Sequence, residues 1–236
     1  MPSRRQFITA ATVTGLGAAG AYWWRSMAEG RAQYDQAVRD IWRHGAGNGR
    51  EQPVVLRELV RYATLAPSSH NTQCWKFALT DQSIAVLPDL QRRCPVVDPD
   101  DHHLFVSLGC AVENLVQAAS AFGLEGEAIV DGAGGGAVQV VLERAAFVRS
   151  PLFEAIPRRQ STRAEFDSRA LSREDLRLLE AAGSGQGVRV LLLTEKTATE
   201  TVLEAVVQGN TAQMRDPAFV RELKDWLRFN GAQAVR

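Results

Sequence analysis

A short polar segment between two apolar patterns constrains the fold of this chain more than any other feature. Residues 56–66 carry leucine, valine and tyrosine at helical spacing and end at Pro67, whereas residues 75–79 alternate as a strand does. The segment between them reads Pro-Ser-Ser-His-Asn-Thr-Gln-Cys-Trp. Its hydroxyl and carboxamide groups are costly to bury unless something hydrogen-bonds to them. The sequence therefore predicts a polar loop that joins a helix to a strand, a common position for ligand-binding groups.

The residue types of this loop leave two interpretations open. Asn71 and Gln73 each present a donor and an acceptor, which suits the pyrimidine edge of a flavin, and Ser68 and Ser69 could add hydroxyl contacts. Equally, the serines and Asn71 could only cap and turn the chain.

The order of these residues resembles the Pro-Ser-Ser-x-Asn-x-Gln-Pro-Trp signature of the nitroreductase family of FMN-dependent oxidoreductases. Pro67, Ser68, Ser69, Asn71, Gln73 and Trp75 match it, and Cys74 stands where the family usually has proline. The resemblance implies that Ser68, Ser69, Asn71 and Gln73 bind FMN.

A second candidate motif is the basic run 158–163, Arg-Arg-Gln-Ser-Thr-Arg. Guanidinium groups around a hydroxyl can bind a phosphate, although a solvated basic turn is about as consistent with the composition. Nitroreductases typically begin with a similar motif, which contacts the FMN phosphate and ribityl chain. On that resemblance Arg159, Ser161 and Arg163 are assigned to the cofactor, with Phe166 matching the motif's aromatic residue.

The order of the two motifs suggests a duplication, because in a simple nitroreductase the basic motif comes first. Leu-Arg-Glu-Leu at 56–59 parallels Leu-Arg-Leu-Leu at 176–179, and each half keeps one part of an FMN site. The chain thus resembles the Acg-like branch of tandem fusions. The resemblance implies an α+β, nitroreductase-like fold whose two related halves form a pseudo-dimer around one FMN, the second half being incomplete.

The predicted organisation has four segments. Residues 1–25 are an export signal or anchor, and residues 26–50 are a short helix with a Gly-rich linker. Residues 51–149 form the first nitroreductase-like half, and residues 150–236 form the second, truncated half. Within these, helices are predicted at 101–122, 172–182 and 199–210, and a hairpin around the glycines at 132–136.

The N-terminal segment has the charged and weakly hydrophobic regions of an export signal, with paired arginines before Phe7 and Ile8. It resembles a twin-arginine (Tat) signal. The prediction is export by the Tat machinery to the periplasm, or membrane anchoring with the body facing outward. Small residues at 19–21 could mark a cleavage site, whereas Tyr22 to Trp24 would suit an uncut segment at the membrane interface.

Composition and spacing exclude several other functions. The formal net charge is zero, which gives no electrostatic case for nucleic acid. Cys74, Cys94 and Cys110 fit no metal spacing and are predicted to be buried thiols. His102 and His103 lie beside aspartates, but adjacent side chains on a helix point to different faces, so no metal site is predicted there.

The predicted function is therefore an FMN oxidoreductase of nitroreductase type. The resemblance implies that electrons pass from NAD(P)H through the flavin to a small, electron-poor acceptor, and no acidic or basic catalytic side chain is assigned. The alternative is a flavin-sequestering protein without turnover.

Overall fold

The structure is a computed structural model that describes residues 25, 27–45, 51–130, 135–162, 164–167, 169–185 and 187–235. The chain divides into two compact units. The first comprises residues 1–159 together with 222–236, and the second comprises residues 160–221. The fold mixes helices with one antiparallel sheet, as the α+β prediction states.

The helix before the polar loop forms as predicted, although it begins earlier. Helix α1 covers residues 27–41, and α2 covers Gln52–Thr64 with Pro53 in its first turn, a position that proline favours. In α2, Leu56, Leu59 and Tyr62 are buried at helical spacing. Helix α2 therefore holds the start of the loop firmly against the core.

The loop leads into a four-stranded antiparallel sheet with the order β1-β2-β4-β3. Its strands are β1 (Trp75–Leu79), β2 (Ser83–Pro88), β3 (Leu124–Val130) and β4 (Val138–Arg144). Strands β3 and β4 pair from Val130 opposite Val138, which confirms the hairpin between them. Most of the Gly-rich turn itself lies outside the described residues. Because a strand follows those glycines, the run does not open a nucleotide-binding helix.

Helix α3 (His102–Ala121) is the core helix of the first unit. Leu104, Leu108, Ala111 and Leu115 form its buried stripe and belong to the same core cluster as the buried residues of α2 and the sheet. Gly123 follows the helix with φ +75°, a conformation that glycine adopts without steric cost. Among the described residues α3 is the one helix long and apolar enough to cross a membrane, and half of it is buried inside the protein.

Asp98 caps the start of α3. Its two carboxylate oxygens accept hydrogen bonds from the backbone N–H groups of His103 and Leu104, at 3.1 and 3.0 Å. Burial alone would raise the pKa of Asp98, but these hydrogen bonds and the neighbouring His103 outweigh it and hold the pKa below its usual value.

We expect Asp98→Ala to lower the free energy of unfolding at neutral pH by about 1–2 kcal/mol, since the helix loses its cap. Because the folded-state pKa is depressed, the stabilisation is complete above the unfolded pKa of about 4 and disappears as the pH falls through the folded pKa. Denaturant unfolding of wild type and variant should therefore converge below about pH 4. Asp100→Ala, at an exposed neighbouring position, is the control. A stability difference that is constant down to pH 2 would contradict the assignment.

Helix α4 (Pro151–Ala155) and the 3-10 turn Ile156–Arg158 fold back onto the core. Phe153 is 1% exposed, and its ring lies 5.0 Å from the rings of both Tyr62 and His44. Arg159 directly follows this turn, and its backbone N–H donates to the carbonyl of Ala155 at 2.9 Å.

The described residues of the second unit are mostly helical, and few of them are buried. Its helices are α5 (Arg173–Gly183) and α6 (Lys196–Arg215), and α7 (Pro217–Trp226) then returns the chain to the first unit. The predicted capping box at Ser172 and Asp175 is confirmed. Neither α5 nor α6 contains a buried residue, and their exposed apolar side chains include Leu178, Leu179, Leu203, Val206 and Val207.

The C-terminal segment belongs to the first unit. Glu222 accepts hydrogen bonds from the backbone N–H groups of Val96 and Val97, at 2.9 and 3.1 Å. Beyond it, α8 (Gly231–Ala234) is capped by the Asn230 side chain, which accepts a hydrogen bond from the N–H of Gln233. The Glu222 hydrogen bonds therefore attach the start of this segment to residues 96 and 97.

Candidate cofactor-binding cleft

The backbone of the polar loop is unusual. His70, Asn71 and Gln73 have φ values of 49°, 55° and 50°, in the left-handed region that costs non-glycine residues free energy. Asparagine and histidine tolerate this region better than most residues, whereas glutamine rarely occupies it. Such conformations often accompany ligand-binding loops, where the surrounding structure holds them in place.

The Ser68 side chain braces this loop from inside. Its Oγ accepts a hydrogen bond from the backbone N–H of Gln73 at 3.0 Å, and its carbonyl accepts one from the N–H of Asn71 at 3.0 Å. Cys74 and Trp75, which directly follow the loop, are buried and anchor its end in the core. The Asn71 and Gln73 side chains remain exposed, and among the described residues neither amide forms a hydrogen bond.

Arg159 contacts the base of the same loop although 94 residues separate them. Its Nη2 donates a hydrogen bond to the carbonyl of Leu65 at 3.2 Å, and its guanidinium carbon lies 5.7 Å from the ring centre of Trp42. A guanidinium group has five N–H donors, and this arrangement leaves others available for a ligand. The fold thus brings together one residue of the basic motif and the loop that contains Asn71 and Gln73.

These residues line one cavity of about 480 Å³ in the first unit. Its floor includes Leu65 and Ala66, and its rim includes Asn71, Gln73 and Arg159. The other described lining residues come from α1, from the turns near β2 and α2, and from the C-terminal segment: Tyr34, Ala37, Val38, Ile41, Trp42, Thr64, Arg92, Trp226, Arg228, Gln233, Ala234 and Val235.

The charges of the cleft are entirely positive. Arg92, Arg159 and Arg228 line it, and its described lining contains no aspartate or glutamate. Asp89 lies behind Arg92, but it pairs with Lys76 at 2.9 Å. The hydrogen bond from Lys76 holds the pKa of Asp89 below its usual value, against the opposing effect of burial. The cleft is therefore suited to a ligand with negative charge.

The structure distributes the predicted site residues unevenly. Asn71, Gln73 and Arg159 line the cleft, whereas Ser68 and Ser69 are absent from its described lining and Ser68 supports the loop.

The rest of the basic motif lies elsewhere. Ser161 is exposed and belongs to the second unit, and Arg163 lies outside the described residues. The matching aromatic, Phe166, is 82% exposed within the second unit. Asn114, a polar residue within α3, donates a side-chain hydrogen bond to the carbonyl of Tyr62 at 3.1 Å.

Other candidate groups are structural. The three cysteines are free; Cys74 and Cys94 are buried, and Cys110 is half-buried rather than fully buried. Burial raises the pKa of the Cys94 thiol to about 11 and also raises that of Cys110, which keeps both thiols protonated and unreactive. Within the described part of the chain, no group of three or more histidine, cysteine or acidic side chains is placed to hold a metal ion.

Comparison with known proteins adds to this geometry. No protein-family model matches the chain. Over 186 residues it is 28% identical to a relative in each of two Mycobacterium tuberculosis strains, both named "Putative NAD(P)H nitroreductase". The match covers 72% of this chain and 50% of each relative, so the chain spans about half the length of the curated relatives it matches. This likeness supports a nitroreductase relationship and suggests an oxidoreductase.

A solved nitroreductase family protein from Streptococcus pneumoniae has a weaker similarity. It is 17% identical, with a TM-score of 0.33, and the match covers 57% of this chain and 98% of that one. A TM-score of this size does not define the fold.

Proposed function

We propose that the chain is an FMN-binding oxidoreductase of nitroreductase type and that the cleft beside the polar loop holds the flavin. The observation that carries this proposal is the hydrogen bond from Arg159 to Leu65, because it holds a guanidinium group in the same cleft as the Asn71 and Gln73 amides, which form no hydrogen bond among the described residues. The nitroreductase names of the two relatives agree with it.

The residues present fit such a cofactor. The Asn71 and Gln73 amides offer donors and acceptors to a flavin edge, and Arg159 offers a guanidinium fork to a phosphate. A volume of about 480 Å³ lies within the range of small-molecule sites, and Tyr34, Trp42 and Trp226 supply apolar walls. When bound, FMN would supply hydride and electron transfer between NAD(P)H and an electron-poor acceptor. The chain's own residues would orient the cofactor and its phosphate.

Ser69, Ser161 and Arg163 stay in the proposal as further FMN contacts, on the resemblance alone. Ser68 also stays in the proposal, because its Oγ accepts the hydrogen bond from the Gln73 N–H and its own O–H remains able to donate to a cofactor.

We also propose the two-half, Acg-like arrangement for the protein. The second unit supports it, because helices α5 and α6 expose leucine and valine side chains that a single finished domain would bury.

Export by the Tat route, to the periplasm or to an outward-facing membrane anchor, is a proposal that depends on the paired arginines at positions 4 and 5. Residues 1–24 lie outside the described part of the chain. Fractionation of cells that express the full chain, with Arg4→Lys plus Arg5→Lys as the comparison, tests it. Equal distribution of both proteins would contradict Tat export.

Anaerobic reduction tests the enzymatic function. Full-length protein loaded with FMN should lose its flavin absorbance when NADPH or NADH is added without oxygen and regain it when a nitroaromatic acceptor follows. Flavin that stays oxidised with both nucleotides yet is reduced by dithionite would contradict turnover and indicate flavin sequestration. A folded protein that does not retain FMN would contradict both functions.

A further inference from the structure

The cleft contains more positive charge than an FMN phosphate requires. A phosphate ester carries about −1.5 to −2 charges at neutral pH. The proposed function assigns Arg159 to that phosphate. Arg92 and Arg228 are additional, and they reach the cleft from different parts of the chain.

Arg92 is held at the edge of the polar loop. Its Nη1 donates a hydrogen bond to the carbonyl of Thr72 at 3.0 Å, between the two amide residues of the loop. Its Nε lies 3.7 Å from Asp89, whose carboxylate is already engaged by Lys76 at 2.9 Å. The single carboxylate of Asp89 lies beside two cations, Lys76 and Arg92. The part of the cleft around Arg92 therefore has a net positive charge.

Arg228 occupies the C-terminal side of the cleft. Its Nη1 donates to the carbonyls of Asp225 and Leu227, at 3.0 and 3.2 Å, and its guanidinium lies 6.0 Å from the Trp226 ring centre. Within the described part of the chain it forms no ion pair. Its Nε and Nη2 form no hydrogen bond to described residues, so these donors are available to a ligand.

We propose that Arg92 and Arg228 form a second anion subsite in the cleft, which binds an acidic group of the substrate that meets the flavin. The inference rests on the proposed function for the identity of the first ligand. An arginine subsite recognises oxyanions, so the acidic group is either a phosphate of the pyridine nucleotide donor or a carboxylate on the acceptor.

Equilibrium binding with matched probes separates these sources. FMN-saturated full-length protein is titrated by calorimetry with 4-nitrobenzoate against 4-nitrobenzamide, and with nicotinamide mononucleotide against nicotinamide riboside, so that within each pair the charged probe differs only at its acidic group from a probe uncharged at that position. Tighter binding of 4-nitrobenzoate than of 4-nitrobenzamide would assign the subsite to a carboxylate on the acceptor. Tighter binding of the charged nucleotide probe would assign it to a phosphate of the donor. Arg228→Gln and Arg92→Gln should each weaken the charged probe of that pair about tenfold, the effect of losing a hydrogen bond between charged groups. Neither substitution should change the affinity for the uncharged probe or for FMN.

Lys224→Gln is the control, because Lys224 is an exposed cation on α7 that does not line the cleft. It should leave all four affinities unchanged. Equal binding of charged and uncharged probes would overturn the subsite, and so would an equal loss in the control. If Arg228→Gln and Arg92→Gln weaken FMN itself, the two arginines belong to the cofactor phosphate site and the inference is wrong.

Failure of the proposed function gives a different result. If the wild-type chain does not bind FMN, the same probe pairs are titrated against the flavin-free protein. A preference for the charged probe that disappears in Arg228→Gln would then support the subsite while the flavin proposal fails. No preference would reject the subsite as well.

Discussion

Arg159→Gln is expected to weaken FMN binding by about ten- to a hundredfold, because a hydrogen bond between a charged donor and a phosphate contributes about 1.5–3 kcal/mol. Glutamine retains the ability to donate to the Leu65 carbonyl but carries no charge. Arg159→Lys should recover part of the affinity, since lysine restores the charge without the bidentate fork. Quenching of flavin fluorescence during titration measures the FMN affinity of wild type and of both variants.

Arg158→Gln provides the matched control. Arg158 is the adjacent cation, its Nε donates to the carbonyl of Glu154 at 3.0 Å, and it is not among the described residues that line the cleft. We expect its FMN affinity to equal that of wild type. If the Arg158 and Arg159 substitutions weaken FMN equally, the effect is one of general charge, and the specific role of Arg159 would be rejected.

Phe153→Ala is expected to lower the free energy of unfolding by about 3–5 kcal/mol, the usual cost of truncating a fully buried phenylalanine. Its ring fills the space between Tyr62 and His44, and the guanidinium of Arg149 lies 5.2 Å from its centre. Because α4 and the following turn position Arg159, the same substitution should also weaken FMN binding under conditions where the variant remains folded. Denaturant unfolding and flavin titration measure the two effects.

Leu152→Ala is the control for this position. Leu152 precedes Phe153 on the same short helix and is 58% exposed, so its truncation should cost less than about 1 kcal/mol and leave FMN affinity unchanged. A similar loss of stability in both variants would show that any truncation on α4 destabilises the protein. Burial of Phe153 would then not explain the effect.

The local elements of this protein follow from its sequence because short-range rules determine them. The apolar spacing in α2 and α3, the alternation of β1, the capping box of α5 and the glycine after α3 all indicate structures that form as predicted. The boundaries differ by a few residues. Helix α2 starts earlier because Pro53 can occupy a first turn, and α6 extends beyond its predicted ends at both sides.

The cleft could be predicted only in part. Asn71, Gln73 and Arg159 were assigned from motifs, but the contact of Arg159 with Leu65 depends on tertiary packing across 94 residues, which no local pattern contains. Arg92 was visible only as one of a basic pair before Cys94, and Arg228 only as a cation in a helical tail. Their place in the cleft depends on how residues 222–235 return to the first unit.

Ser68 shows the limit of a motif in the opposite direction. The resemblance assigns its hydroxyl to the cofactor, and in the structure the oxygen of that hydroxyl accepts a hydrogen bond from the backbone N–H of Gln73, which leaves its O–H donor available. A motif serine can therefore shape the loop, and its presence in a signature does not distinguish that role from ligand contact.

Titration of the full-length chain with FMN, beside the Arg159→Gln variant, tests the central proposal most directly. We predict saturable binding of one FMN per chain in wild type and a loss of ten- to a hundredfold in the variant, with both proteins folded by circular dichroism. A folded wild-type chain that does not bind FMN, or one whose affinity the variant leaves unchanged, would contradict a flavin site in this cleft.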